Sequence, residues 1–297
     1  MKMNDALGVF ELRMSETFRL VAFTDLHFDM FDPIAAVRAK RDMRRFAAKL
    51  EPDMLAVLGD TALNPFNKGR TRSFVKLMHS FGIPWTAVLG NHEGEQDFEV
   101  PRREVVEMYK KSDRFLGNVD LPGVSGHGNQ AIAIINEDGT PAQLLYFLDS
   151  GGGRGHNYIQ EDQLAWMRRV SALYPGTPGM IFLHVPPFQY QDAYEALQTG
   201  EAELLHDAWR ERVCTMGSRE QSEALVACAQ ELGVQAFVCG HDHSNNFDIS
   251  YRGIRYIYTQ SGGYSWICFD KRSKDARGCS VYVIHPDGRM ELEQNYG

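Results

Sequence analysis

The chain has 297 residues, of which 43% are hydrophobic and 24% charged, the composition of a folded globular protein and not of a disordered or fibrous one. A formal net charge of −8 argues against a broad nucleic-acid or anionic-membrane surface, which would show as a basic patch or stripe. Local basic stretches remain: RAKRDMRR (38–45) and PRREVVEMYKK (101–111) mix charge with apolar residues at helical spacing and read as solvated helix faces.

The first twenty residues hold no continuous apolar run of signal-peptide length, and no stretch of about 18 apolar residues occurs anywhere. A cytoplasmic location without membrane attachment is the expectation. Five cysteines, Cys214, Cys228, Cys239, Cys268 and Cys279, are odd in number and lack C-x-x-C spacing. They suggest buried apolar residues or free thiols, not a disulfide framework or a zinc-thiolate site.

In chain order, FRLVAFTD (18–25) reads as a strand, and a helix follows over 32–50, with Asp32 as N-cap and Pro33 at the first helical position. A second strand (53–60), a helix over 70–81 and a third strand (84–91) continue the alternation expected of a sheet flanked by helices. QAIAIIN (130–136) and AQLLYFLDS (142–150) form a hairpin around Glu137, Asp138 and Gly139, and a helix occupies 160–173. Strands are expected at 179–187 and 234–243, with antiparallel strands and Gly turns in the last third. No internal repeat or low-complexity linker divides the chain, so 1–297 reads as one domain. The segments 113–128, 150–158 and 187–218 read as loops around the mouth of a site.

The strand ends carry the chemistry: Asp25 and His27 in TDLH, Asp60 in LGDT, Asn91 and His92 in LGNHE, His184 in FLHVPP, and His241 and His243 in CGHDH. Taken singly, Asp25 or Asp60 also reads as a helix cap, Asn91 as a turn residue and His184 as a buried core histidine. Five strand ends carrying such residues together, in a chain with ten histidines, point to a shared site, because open α/β sheets place ligands at strand carboxyl ends. Carboxylate, amide oxygen and imidazole suit a pair of hard to borderline cations. A two-metal site needs a carboxylate to bridge ions about 3.5 to 4 Å apart, and Asp60 is the candidate bridge. His241 and His243, one residue apart in an extended segment, point the same way and would serve one ion or two neighbouring ones.

In order, Asp25-Leu26-His27, Gly59-Asp60, Gly90-Asn91-His92-Glu93, His184 and Gly240-His241-Asp242-His243 resemble the D-x-H, G-D, G-N-H-(D/E), H and G-H-x-H blocks of the calcineurin-like metallophosphoesterases. The resemblance implies an α/β fold, a four-layer αββα sandwich of two mixed β-sheets flanked by helices, with a two-metal site at the strand carboxyl ends. It implies a first metal on Asp25, His27, Asp60 and His243 and a second on Asp60, Asn91, His184 and His241. It also implies attack by a metal-bound hydroxide, with His92 facing the substrate as proton donor or phosphoryl stabiliser. The metals would be divalent or trivalent Mn, Fe or Zn, the identity being open.

His27 and Leu63 stand where purple acid phosphatases carry a glycine and a metal-binding tyrosine, so a colourless centre is expected. The second motif continues into TALNP, without the V-D-R-G of serine/threonine protein phosphatases. The stretches LYFLDSGG, Gln163 and Trp166 in DQLAWM, HVPPFQY and GHDHSNNF are similar to a compact group related to purple acid phosphatases, although Asn246 stands where that group would have Asp. Hydrolysis of a small phosphate monoester is the leading expectation. A phosphodiesterase for cyclic nucleotides or other small diesters, and a non-catalytic metal-containing binding module, are the alternatives. Duplex nucleic acid is not expected as a partner, and the oligomeric state is open. Glu93 would either orient His92 or cap the following helix, and Tyr158, Tyr190, Tyr264 and Trp266 would either wall the site or pack.

Overall fold

The computed structural model describes residues 2–29, 31–63, 67–94, 100–152, 158–206, 213–215, 217–265 and 277–296; Trp266 and Cys268 lie outside them. The first half runs β1 (Lys2–Asn4), β2 (Val9–Arg13), β3 (Phe18–Phe23), β4 (Phe28–Asp29), α1 (Pro33–Leu50), β5 (Met54–Leu58), β6 (Ala62–Leu63), α2 (Asn67–Ser80), β7 (Trp85–Val88), α3 (Arg102–Tyr109) and β8 (Gln130–Ile135). The second runs β9 (Pro141–Phe147), α4 (Glu161–Ser171), β10 (Gly179–Phe182), α5 (Gln189–Thr199), β11 (Glu203–His206), α6 (Arg219–Glu231), β12 (Val234–Cys239), β13 (Asp248–Tyr251), β14 (Ile254–Tyr258), β15 (Gly278–Ile284) and β16 (Met290–Tyr296).

Two mixed sheets result: a nine-stranded one ordered β1-β2-β8-β9-β10-β12-β14-β13-β11 and a five-stranded one ordered β16-β15-β3-β5-β7. They stack because their strands are apolar on both faces with a period of two. Phe18, Leu20 and Ala22 of β3 and Met54, Ala56 and Leu58 of β5 meet Met180, Phe182, Ala236 and Val238 of the other sheet. The alternate residues Val21, Phe23, Leu55 and Val57 face outward onto Ala36, Met43 and Phe46 of α1 and Phe74 and Met78 of α2. On the other outer face, Ile181 and Phe237 pack with Leu164 and Trp166 of α4, Tyr190 of α5 and Leu225 of α6. The expected four layers are thus present.

Helix starts follow the expected chemistry. The Asp32 carboxylate accepts the Ala35 N–H at 2.9 Å ahead of Pro33, and Ser218 with Gln221 forms a capping box on α6. One expectation needs correction. The stretch 187–218, read as a loop, contains α5 and β11, because Tyr190, Ala193 and Ala196 recur on one buried face among polar residues that masked the period. The antiparallel strands expected in the last third are present as the pairs β13–β14 and β15–β16, and β14 also pairs parallel with β12. The edge strand β1 and its neighbour β2, which pairs on its other side with β8, lie outside the expected strands. Among the described residues no helix is long and apolar enough to cross a membrane.

Candidate metal centre

Both sheets deliver their strand ends to one place. From the five-stranded sheet come Asp25 and His27 after β3, Asp60 after β5, and Asn91 and His92 after β7; from the nine-stranded sheet come His184 after β10 and His241 and His243 after β12. The chain turns sharply there: Asp25, His27, Asp60 and His241 all have left-handed backbones, with φ of 52°, 42°, 52° and 74°. Such conformations are costly for non-glycine residues and cluster at functional sites. Two motif glycines are required by close approach. A Cβ at Gly90 would lie 2.1 Å from Asp60 Oδ1, and one at Gly240 would lie 1.9 Å from Thr24 Oγ1.

Asp25, His27, Asp60 and His243 bring ligand atoms within 4.8 Å of one another, and Asp60, His184 and His241 form a second such group. Asp60 belongs to both. Its Oδ2 lies 3.1 Å from His184 Nε2 and 3.7 Å from His27 Nε2. His243 Nε2 is 3.3 Å from Asp25 Oδ1 and 3.0 Å from His27 Nε2, and Asn91 Oδ1 is 3.1 Å from His184 Nε2. His241 and His243 therefore fall into different groups. His92 stands beside the cluster, its ring edge-on to His27 with centroids 5.3 Å apart and its backbone N–H donating to Asp60 Oδ1 at 2.9 Å.

The His184 tautomer is set from below. Its Nδ1 lies 2.7 Å from the Leu58 carbonyl, which can only accept, so Nδ1 carries a proton and Nε2 faces Asp60 and Asn91. Thr24 Oγ1 and the His241 N–H donate to Asp25 Oδ2 at 2.8 and 3.0 Å. Oxygen and imidazole donors held by such outer partners fit a pair of Mn, Fe or Zn ions.

Burial opposes ionisation of Asp60, but the charge and hydrogen bond of His184 and the charges of His27 and His92 outweigh it and hold the carboxyl far below its usual range. Asp25 is likewise held well below it, burial being outweighed by His243 and His27. Burial lowers His184 too, yet the Asp60 carboxylate prevails and raises it to about 9. For His27 and His241 burial wins, and both are lowered.

The Glu93 carboxylate binds backbone N–H groups and Thr61. Its Oε1 accepts the Thr61 N–H at 2.6 Å and the Thr61 hydroxyl at 2.8 Å, and its Oε2 accepts the Asp60 and Gly90 N–H groups at 2.9 and 2.6 Å. With both oxygens doubly engaged, the carboxylate ties the turns after β5 and β7 together. Arg102, at the start of α3, donates to the Gly90 and Glu93 carbonyls at 2.5 and 2.9 Å and to the Asp149 carboxylate. No motif spacing in the sequence marks Arg102 or Asp149. Cys214 also comes within ligand range of His241 and Asp242, which the absence of C-x-x-C spacing did not suggest. Of the aromatic candidates, Tyr190 is fully buried with its hydroxyl donating to the Ile257 carbonyl. Tyr264 donates to Asp42 at 2.6 Å, and Tyr158 packs against the core.

A calcineurin-like phosphoesterase family model matches residues 18–245. A protein of Arabidopsis thaliana named "Probable inactive purple acid phosphatase 28" is 26% identical over 295 residues, covering 84% of this chain and 71% of its own length. A dimetal phosphatase from Danio rerio shares the fold with a TM-score of 0.66 at 13% identity, covering 95% of this chain and 96% of that one. The purple acid phosphatase PPD1 from yellow lupin (Lupinus luteus) seeds superposes with a TM-score of 0.51 at 13% identity over 95% of this chain and 52% of its own.

Proposed function

The chain belongs to the calcineurin-like phosphoesterase family, hydrolases of phosphate esters that use a dinuclear metal centre, and on that premise we propose that it hydrolyses a small phosphate monoester. The observation that carries this reading is Asp60, whose carboxylate is shared by two adjacent ligand groups drawn from both sheets. A pair of bound metals would polarise the phosphoryl oxygens and lower the pKa of a water to about 7.

The protein's own residues do the rest. Asp25, His27, Asp60 and His243 would hold one ion, and Asp60, Asn91, His184 and His241 the other. His92, anchored through its backbone to Asp60, would hand a proton from its ring to the departing ester oxygen. Although the Arabidopsis relative is called inactive, every ligand and the proton donor are present here, which favours turnover over a binding module.

Protein stripped of metal and refilled with Mn, Fe or Zn in turn is assayed on p-nitrophenyl phosphate and bis-p-nitrophenyl phosphate. The monoester is expected to turn over faster. Preference for the diester would replace this reading with a phosphodiesterase, and inactivity on both with every metal bound would leave the binding module.

A further inference from the structure

The net charge of −8 conceals one strongly basic face. Helix α1 carries Arg38, Lys40, Arg41, Arg44, Arg45 and Lys49 against a single acidic residue, Asp42, which is buried. Helix α2 adds Lys68, Arg70, Arg72 and Lys76 with no acidic residue at all. Together these are ten of the 31 lysines and arginines. The helices lie side by side, since Lys40 Nζ donates to Ser73 Oγ at 2.7 Å. Burial first, and then the charges of Arg70 and Arg44 beside it, pull the Lys40 ammonium below its ordinary range. Some of this charge is neutralised locally, by Asp42 beside Arg41 and Arg45 and by Glu104 beside Lys68. Among the described residues Arg38, Arg44, Lys49, Arg72 and Lys76 make no ion pair.

The same face has an apolar tip. Phe31, Ile34 and Val37 are 67%, 66% and 66% exposed, the most exposed large apolar side chains among the described residues. Ile34 lies one turn from Arg38 and two turns from Arg41, so apolar tip and cationic shaft share one stripe of the helix. A soluble surface gains nothing from three neighbouring bare apolar side chains. A polyanion such as duplex DNA would use the arginines and leave the tip in water. An anionic bilayer uses both, because apolar residues enter the interface while guanidinium groups engage lipid phosphates.

We infer that the exposed face of α1, continued by α2, docks the protein on the surface of an anionic phospholipid bilayer, with Phe31, Ile34 and Val37 inserted and the arginines on the headgroups. His27 precedes Ile34 by seven residues, so the docking helix starts from the loop that carries two candidate metal ligands. The inference stands apart from the proposed hydrolysis, since none of these residues belongs to the metal centre.

The full chain is sedimented with vesicles of phosphatidylcholine alone and with vesicles containing about 30% phosphatidylserine at physiological salt. Binding is expected only to the anionic vesicles. A cation at such a surface strengthens binding about fivefold, so Arg38→Glu with Arg44→Glu should weaken it at least about 25-fold. Ile34→Ser with Val37→Ser, which leaves the charge intact, should weaken it at least about tenfold. All four positions are exposed and the folds should survive; Arg72→Glu with Lys76→Glu provides a second charge test on the other helix. Equal binding to both vesicle types, or none to either, overturns the inference. So does a serine variant that binds like the parent, or retention on heparin without retention on vesicles, either of which would mark a patch for soluble polyanions.

Discussion

Asp60 and Glu93 hold each other's turns in place: the Asp60 N–H donates to Glu93 Oε2 at 2.9 Å, while the N–H of His92, next to Glu93, donates to Asp60 Oδ1 at 2.9 Å. Asp60, the proposed ion bridge, and His92, the proposed proton donor, are thereby set in register by the residue beside them. Glu93→Gln would put an amide NH2 against backbone donors, and a buried unsatisfied group of that kind costs about 1–3 kcal/mol. Chemical unfolding should show that loss. A Gln variant as stable as the parent would mean that the amide finds new partners and that the clasp is dispensable.

Because both ligand groups include Asp60, Asp60→Asn should lower the metal content of the protein below two ions per chain and abolish turnover. Elemental analysis of the metal-loaded variant is the check. Two ions bound with activity retained would assign the bridge to another residue.

His92→Ala separates chemistry from binding. Loss of a positioned proton donor costs about 10²–10⁴-fold in rate, whereas the metal content should not change, since the ring stands beside the ligand groups and not within them. Metal lost along with activity would make His92 a ligand.

Arg102 supports the turn from outside, with its guanidinium spread over the Gly90 and Glu93 carbonyls and the Asp149 carboxylate. A lysine cannot reproduce that planar fork. Arg102→Lys should therefore weaken metal binding about 10- to 100-fold, as outer partners of ligands do. Calorimetric titration with Mn or Zn would read the change, and an unaltered affinity would confine Arg102 to packing.

Metal capture should be linked to pH through His184. In the metal-free protein this group is raised to about 9, so below that pH a metal must displace the proton on Nε2. Asp25 and Asp60 are held low and are already ionised. Apparent affinity should therefore climb about tenfold per pH unit for this one proton up to about pH 9, then flatten with respect to it. Titrations at pH 7 in buffers of different ionisation heat would count the proton released. An affinity that is flat from pH 7 to 9 would show His184 already neutral.

Much of this centre is legible in the sequence because strand-end chemistry is local. A strand such as MLAVL ends in Gly59-Asp60 within two residues, and Asp32-Pro33 announces α1 just as directly. The supports are illegible for the opposite reason. Three of the four hydrogen bonds of Glu93 come from 32 or 33 residues away, two of them from backbone N–H groups that every residue possesses, and Arg102 meets Asp149 across 47 residues. Helix α5 was hidden because small and polar residues carried its buried face, and the partners of β14 depend on which strand ends come together.

The candidate ligands come from two sheets, one contributing Asp25, His27, Asp60 and Asn91 and the other His184, His241 and His243. A pair of ions bound there would act as a rivet through the seam of the sandwich, and no half of the protein could hold the pair by itself. Metal capture should therefore come last in folding, after both sheets have formed and met, and stripping the ions should loosen the seam first while each sheet keeps its own hydrogen bonds.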